Sequence, residues 1–390
     1  MRGGGRKRLR QGRTVMEAFC LNSRIVEDDK EFLIQTTNDI KLGVIKANLF
    51  VDGELLDASV LPHADDISQE EILQLVKMAH VEKKSEMEYL LRSYKEILEK
   101  GRPEQMFHLG TALFCKRMYE EARNLFRSVV KLKHDYHEAY FFLCQTETAL
   151  GHAEDAVNAG VKAVDLKPNY ADYRNALGEA YLDANSCKRA VIEFEEAIKR
   201  NVYYADAYFN LALSFILNAV RKEDFSMSTD LTSRCLDLFK KAVLINPEFQ
   251  TGNYNEAMAA MSGNDLKRAY YLFKGVREDK KEKQRQEKTA YFNRFLIYTD
   301  WLTENDINER INFLEREIDR NPDFVDLYYE LGVCYLHRAK FNWQKGIENF
   351  QKALNINKDL KKATRGLEMS KEYNVKLADA ISDIVGKSTF

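Results

Sequence analysis

The side chains able to do chemistry are scattered along this chain, not clustered. Its seven histidines are His63, His80, His108, His134, His137, His152 and His337. His134 and His137 form H-x-x-H around Asp135, but a zinc hydrolase needs HExxH on one continuous helix. The local pattern places a boundary between two helical units at that point, so both are read as turn residues and no metal is expected. Six cysteines (Cys20, Cys115, Cys144, Cys187, Cys235, Cys334) include no C-x-x-C pair, which argues against a zinc ribbon or a redox dithiol. Buried free thiols in a reducing compartment are the expectation. No G-x-S-x-G, P-loop or G-x-G-x-x-G sequence is present, and the carboxylates are spread too evenly to nominate an acid/base pair. No catalytic residue and no cofactor are assigned, and the chain is not expected to be an enzyme.

The elements that position these side chains follow from length and composition. A chain of 390 residues exceeds one ordinary core, so two domains or a repeat array is expected. Hydrophobic residues at 45% and charged residues at 31% supply both cores and extensive solvated surface. Five prolines and eighteen glycines suit long helices better than many short strands. A formal net charge of −2 gives no general pull toward nucleic acid or acidic lipid, and no window reaches the ~20 apolar residues of a membrane span. Residues 1–16 carry Arg2, Arg6, Lys7, Arg8, Arg10 and Arg13 with no apolar run after them. They read as a disordered basic tail, not a secretory signal, with Met16 an alternative start. A cytoplasmic protein is expected.

Self-similarity organises the middle of the chain. Working back from Pro168, residues 137–170 form a unit with Tyr140, Leu143, Ala156, Ala163 and Pro168 at positions 4, 7, 20, 27 and 32. In 171–204, Leu177, Gly178, Tyr181, Ala190, Phe194 and Ala197 fall at positions 7, 8, 11, 20, 24 and 27, and in 103–136 Leu109, Gly110, Ala122 and Phe126 are in register. Small residues at 8, 20 and 27 let two antiparallel helices approach closely, and proline at 32 stands where the second helix must stop. Residues 205–249 continue the frame through Tyr208, Leu211, Phe215, Phe239, Ala242 and Pro247, with a polar insertion around 221–232. Weaker units follow at 250–283 (Ala257, Ala269, Phe273) and 291–324 (Pro322), and a clear one at 325–360 (Tyr328, Leu331, Gly332, Tyr335, Phe350, Ala353).

This pattern resembles the tetratricopeptide repeat (TPR) family, whose unit is about 34 residues of helix–turn–helix. The resemblance implies a right-handed α-solenoid of about seven helix pairs over 103–360. Residues 361–390, with Leu377, Ala380, Ile381 and Ile384 at helical spacing, are read as one or two C-terminal capping helices. Residues 31–65 do not follow the repeat. EFLIQTT, IKLGVIKANLFV and ELLDASVL read as three antiparallel strands, with Asp52-Gly53 as a hairpin turn. A helical stretch begins at the capping box Ser68-x-x-Glu71 and runs to about Lys100 as one long helix or two, giving a small α+β domain at about 17–100. The combination of a β-rich leader and a repeat array without a catalytic module looks bacterial.

The resemblance also locates a binding surface, since the first helix of each TPR pair lines a concave groove. Position 5 holds Phe107, Phe141, Asn175, Phe209, Tyr254, Phe295 and Tyr329, and the adjoining groove positions add Thr111, Gln145 and Glu179. Two readings of the aromatic stripe stand together: a surface for an extended peptide or amphipathic helix, or packing between units. Position 2 supplies Glu104, Glu138, Asp172, Asp206 and Asp326, which form either an acidic rim or helix N-terminal carboxylates facing the macrodipole. TPR proteins that hold chaperone C-termini clamp the terminal carboxylate with basic side chains. Here the matching positions are Phe107, Thr111, Asp172 and Ala176, so that partner class is not expected. The run Arg277–Lys288 is read as a solvated, charge-laced helix. The function that follows is a scaffold or adaptor holding a partner protein in the groove, with nucleic acid not expected to bind. An alternative makes the amino-terminal α+β domain a ligand-sensing or catalytic module under the solenoid's control.

Overall fold

A computed structural model describes residues 18–27, 30–64, 67–221, 231–291, 304–320 and 325–385. The expected basic tail, the polar insertion after Arg221, Phe295 and Pro322 lie outside the described residues. The chain folds as two compact units, Met1–Glu96 and Ile97–Phe390.

The first unit is an antiparallel meander covered by a helix. Its strands are β1 (Cys20–Glu27), β2 (Lys30–Asp39), β3 (Val44–Val51) and β4 (Glu54–Pro62), in spatial order β1-β2-β3-β4. The sheet therefore has four strands where the sequence pattern gives three. The extra strand, β1, is an edge strand whose sequence CLNSRIVE has only Leu21, Ile25 and Val26 as apolar residues, too few for a period-2 signal. The Asp52-Gly53 turn forms as expected, both residues having positive φ (51° and 85°), the type I′ geometry that matches the twist of a hairpin. Alternation buries Phe32, Ile34 and Thr36 of β2 and Ile45, Ala47 and Leu49 of β3. Against this face lies α1 (Gln69–Lys100), one helix and not two. It starts at the expected capping box, in which the Glu71 carboxylate accepts from the Ser68 backbone N–H at 2.9 Å. Ile72 and Val76 pack on Ile45, and the same stripe then turns polar at His80 and Lys83.

The second unit is built from helix pairs: α2 (Pro103–Cys115) with α3 (Tyr119–Leu132), α4 (His137–Ala149) with α5 (Ala153–Leu166), α6 (Ala171–Asp183) with α7 (Cys187–Arg200), α8 (Ala205–Arg221) with α9 (Leu231–Ile245), and α10 (Gly252–Ser262) with α11 (Leu266–Tyr291). Asn246 caps a short 3-10 turn, Pro247–Phe249, with its side chain, so position 32 ends the second helix of that pair as proline requires. Four pairs turn through a left-handed residue at the same place: Arg117 (φ 62°), Gly151 (77°), Asn185 (58°) and Asn264 (61°). Each is followed by a backbone bond closing the helix end, such as Ser186 N–H to the Tyr181 carbonyl at 2.7 Å. Beyond them come α12 (Glu304–Arg320), α13 (Val325–Ile356) and α14 (Lys361–Val385).

One expectation changes here. Where the frame places a helix pair in 325–360, the chain runs as one 32-residue helix. It carries neither a glycine with positive φ nor an asparagine at the turn site, so nothing in it forces the backbone to reverse. Of the one or two helices expected in the terminal segment, one forms, α14, packed on α13. The expected pair at 291–324 falls partly outside the described residues, and α12 is its described helix.

The small residue of the repeat is explained by contact. A Cβ placed on Gly178 would stand 2.5 Å from Cε1 of Phe194, and one on Gly110 would stand 2.8 Å from the same atom of Phe126. Both aromatics are fully buried, so they cannot move aside. Gly178→Ala is therefore expected to destabilise the array by about 1–3 kcal/mol. Gly275→Ala, at a helical position with open space around it, should be neutral or gain up to about 1 kcal/mol. Urea unfolding of both variants checks the pair, and equal midpoints would contradict the packing argument.

Candidate binding groove

The first helices α2, α4, α6 and α8 lie side by side, and their common face is where a groove is expected. A segment of the chain itself occupies it. Helix α11 begins as the second helix of the fifth pair, with Ala269, Phe273 and Val276 fully buried in a cluster with Phe209, Phe239 and Phe249. Past Val276 it continues in phase, but the stripe changes chemistry. Arg277, Lys280, Lys281, Gln284 and Arg285 take the inner positions, while Glu278, Asp279, Lys283 and Gln286 face out. A helix that holds its phase carries its inner face onward into whatever lies ahead. Here that is α8, then α6, then the end of α2.

Each inner cation has an acceptor. Lys280, itself 3% exposed, donates to both carboxylate oxygens of Asp206 on α8 at 2.7 and 2.9 Å and stands 4.6 Å over the Phe249 ring. Arg277 reaches Asn210 Oδ1 on α8 at 3.5 Å. Lys281 donates to Glu179 Oε2 on α6 at 2.8 Å. Asn210 Nδ2 donates to the other Glu179 oxygen at 2.8 Å and to Asn175 Oδ1 at 2.9 Å. Farther on, Glu282 pairs with Arg117 and Arg285, and Arg285 also donates to the Cys115 carbonyl at the end of α2. That carbonyl is at the negative end of the helix dipole, where a guanidinium is favoured.

The electrostatics follow from this layout. Burial pushes the Glu179 carboxyl up, but Lys281, Arg277 and Asn210 more than offset it and hold it below the ordinary glutamate value. The hydrogen bond from Arg285, reinforced by Arg117 against the cost of burial, brings Glu282 down to about 2. Asp183, beside this network on α6, is raised by burial despite Arg277. The face therefore carries the carboxylates Glu179 and Asp206, with Asp183 exposed beside them, and is met by a basic helix.

The residues singled out in sequence do not share one surface. Glu179 meets α11 directly through Lys281, and Asn175 joins it through Asn210. Phe209 and Tyr254 do not line a surface. Phe209 is fully buried and stacked on Phe249 at 4.3 Å, and Tyr254 packs edge-on to Phe273. Phe107 and Phe141 are half-buried in inter-repeat packing, the first against Phe126, Tyr136 and Phe142, the second stacked on Tyr173 at 4.7 Å. Thr111 is buried with its hydroxyl donating to the Phe107 carbonyl at 2.9 Å. Gln145 is half-buried on α4, and Tyr329, half-exposed, is on α13. The charged run is not a solvated helix, because its inner side chains lie in the groove. What the sequence reading missed was this stripe, whose signal is present: 277, 280, 281 and 285 continue the spacing of 269, 273 and 276. Of the position 2 acids, Asp206 acts in the groove, while Glu104 pairs with Lys133 at 3.6 Å.

Other polar clusters are satisfied from within the fold. Glu147, His152 and Asp155 bring ligand atoms together, but Arg127 donates to Glu147 at 2.7 Å and to Asp155 at 2.8 Å, supplying the positive charge these carboxylates require. His134 and His137 do not converge: the first bonds the Val130 carbonyl and the second the Tyr173 hydroxyl. In the first unit, buried Lys83 joins Asp57 and Ser59, and His80 joins Ser23 and Thr36. That polar layer holds helix to sheet.

Residues 175–218 match the tetratricopeptide repeat family model. Among solved structures, the chain is similar to residues 41-end of MamA from Desulfovibrio magneticus RS-1 (20% identity, 46% of this chain and 97% of that one, TM-score 0.36). It is also similar to TTC0263, a thermophilic TPR protein of Thermus thermophilus (16%, 60% and 100%, TM-score 0.34). A third is YrrB, described as a TPR protein with an unusual peptide-binding site (12%, 50% and 97%, TM-score 0.33). No curated protein matches. No helix among the described residues is long and apolar enough to cross a membrane.

The pH dependence of the α11 contact follows from its carboxylates. Glu179 and Glu282 titrate below ordinary glutamates, so their contribution is complete above ~4.3. It is lost as pH falls through the lower folded values, about 2 for Glu282. Amide exchange in 277–286, corrected for its intrinsic rate, should stay protected from neutral pH down to roughly pH 4. Molar salt at neutral pH should release it more than mild acid does. Loss of protection already at about pH 5 would contradict the assignment of these two carboxylates.

Proposed function

We propose that this chain, a tetratricopeptide repeat protein, is a non-catalytic scaffold that holds a segment of a partner protein against the common face of α2, α4, α6 and α8. The observation that carries the reading is that this face already holds a helix, the charged half of α11, through the Asp206 side chain of α8, the Glu179 side chain of α6 and the Cys115 carbonyl at the end of α2. A face that seats one helix in cis has the width and the polar groups to seat another in trans. Further support comes from the buried amides Asn175 and Asn210 and the largely buried Glu179, which serve no apolar packing and are costly to bury without a partner. The five buried free thiols suit a reducing compartment, and we place the protein in the cytoplasm.

The test is capture from the soluble extract of the source cell, with identification by mass spectrometry. Wild type is compared with a Gln145→Lys/Glu179→Gln variant, whose helicity is checked by circular dichroism. A protein held by the wild type and lost by about tenfold or more in the folded variant, a difference of ~1.4 kcal/mol, is the expected result. Equal capture by both would move the binding surface away from this face. Phe209 and Tyr254 are unsuited to such a test because charge there would break the core.

A further inference from the structure

We infer that the groove is selective for a basic helix, and that the second half of α11 is a resident ligand which such a helix must displace. The inference rests on the scaffold reading above and adds to it the chemistry of the partner and the state of the groove before it arrives.

The first argument is charge. With α11 lifted away, α6 and α8 would present Glu179 and Asp206 on one face, and the lysines that neutralise them would be gone. Uncompensated like charges on one face disfavour an empty groove and an acidic or neutral ligand alike. A replacement must return cations at the spacing of Arg277, Lys280, Lys281 and Arg285, that is i, i+3, i+4 and i+8 on one helical face. From 277 to 285 the helix rises only ~12 Å, so a partner helix of about three turns suffices.

The second argument is the way α11 is held. Up to Val276 it is locked by aromatic and aliphatic burial. Beyond Val276 no inner side chain is apolar, and the contact consists of ion pairs and hydrogen bonds. Several remain open to water: the side chains of Lys281, Arg117 and Glu282 are 40%, 38% and 32% exposed. Pairs of this kind are individually weak and screened by salt. The charged half can open while the apolar half stays docked, which makes it a low-stability segment on a stable anchor. Tethering gives it a high effective concentration over the groove, so an incoming helix competes on unequal terms until α11 is weakened.

The probe is a fluorescein-labelled peptide of residues 274–288 of this chain, added to the full-length protein and followed by anisotropy at about 50 mM salt. The wild type should bind it weakly. The variant Lys280→Ala/Lys281→Ala, in which α11 has lost its two lysine pairs, should bind it at least about tenfold more tightly. Binding should fall steeply with salt, and a peptide with Arg277, Lys280, Lys281 and Arg285 replaced by Gln should not bind. Adding Glu179→Gln and Asp206→Asn to the weakened variant should remove the gain. Circular dichroism and thermal unfolding establish that each variant is folded. Equal affinity of wild type and weakened variant, no binding by either, or binding indifferent to Glu179 and Asp206 would each overturn the inference and make α11 a fixed strut. If that happens while extract capture still depends on Gln145 and Glu179, the scaffold reading stands and only the displacement fails. Peptide binding as expected with no groove-dependent capture would sink the scaffold reading instead.

Discussion

A helix pair of this size cannot bury its apolar face alone, and everything in the second unit depends on how closely its neighbours approach. The approach is set by a side chain that is missing. Gly110 and Gly178 leave room for Phe126 and Phe194, whose rings occupy the space where a Cβ would be. Alanines at the other small positions, Ala122, Ala156, Ala163, Ala190 and Ala197, are fully or almost fully buried. With the spacing fixed, pairs stack with first helices beside first helices, and one face of the array is made of α2, α4, α6 and α8 alone.

That face is where the packing rule stops being sufficient. It carries buried amides and a largely buried carboxylate, groups that apolar stacking cannot satisfy. The chain answers from within. Helix α11 satisfies the packing rule with its first half and the polar face with its second, by changing residue type along an unchanged stripe. Arg117 shows the same economy from the other side. It takes a left-handed turn position that its counterparts fill with glycine or asparagine, a conformation costly for a long side chain, and from there its guanidinium meets Glu282.

Much of this was legible in sequence, and the limits have physical causes. The repeat could be read because close packing demands small residues at fixed spacing, and few other constraints do. The Asp52-Gly53 hairpin could be read because two successive positive φ angles exclude most residues. Strand β1 could not, since its exposure alternates but its residue types do not: Ser23 and Glu27 take inner positions and Val26 an outer one. The long helix α13 was misread as a pair because Leu331, Gly332, Phe350 and Ala353 keep the repeat's residue types, while the turn between them lacks a residue that favours the left-handed conformation. The aromatic stripe at position 5 was ambiguous for a sound reason. A ring that lines a groove and a ring that fills an inter-repeat gap have the same period, and only burial separates Phe209 from Phe141.

The charged run is the instructive case. Read by composition, Arg277–Lys288 is a solvated helix, since charges of both signs alternate along it. Read by phase, Arg277, Lys280, Lys281 and Arg285 lie on the side that Ala269, Phe273 and Val276 have already committed to the core, and Glu278 and Asp279 lie opposite. A helix is rigid over two turns, so the residues that anchor its first half decide where the charges of its second half must point. Once Val276 is buried, Lys280 and Lys281 have no course but into the array, and they can be accommodated there only if carboxylates meet them. Glu179 and Asp206, taken separately as a groove position and a helix N-terminal acid, are the two that do. The acidic face and the basic stripe therefore specify one another, and the first half of α11 is the device that brings them into register.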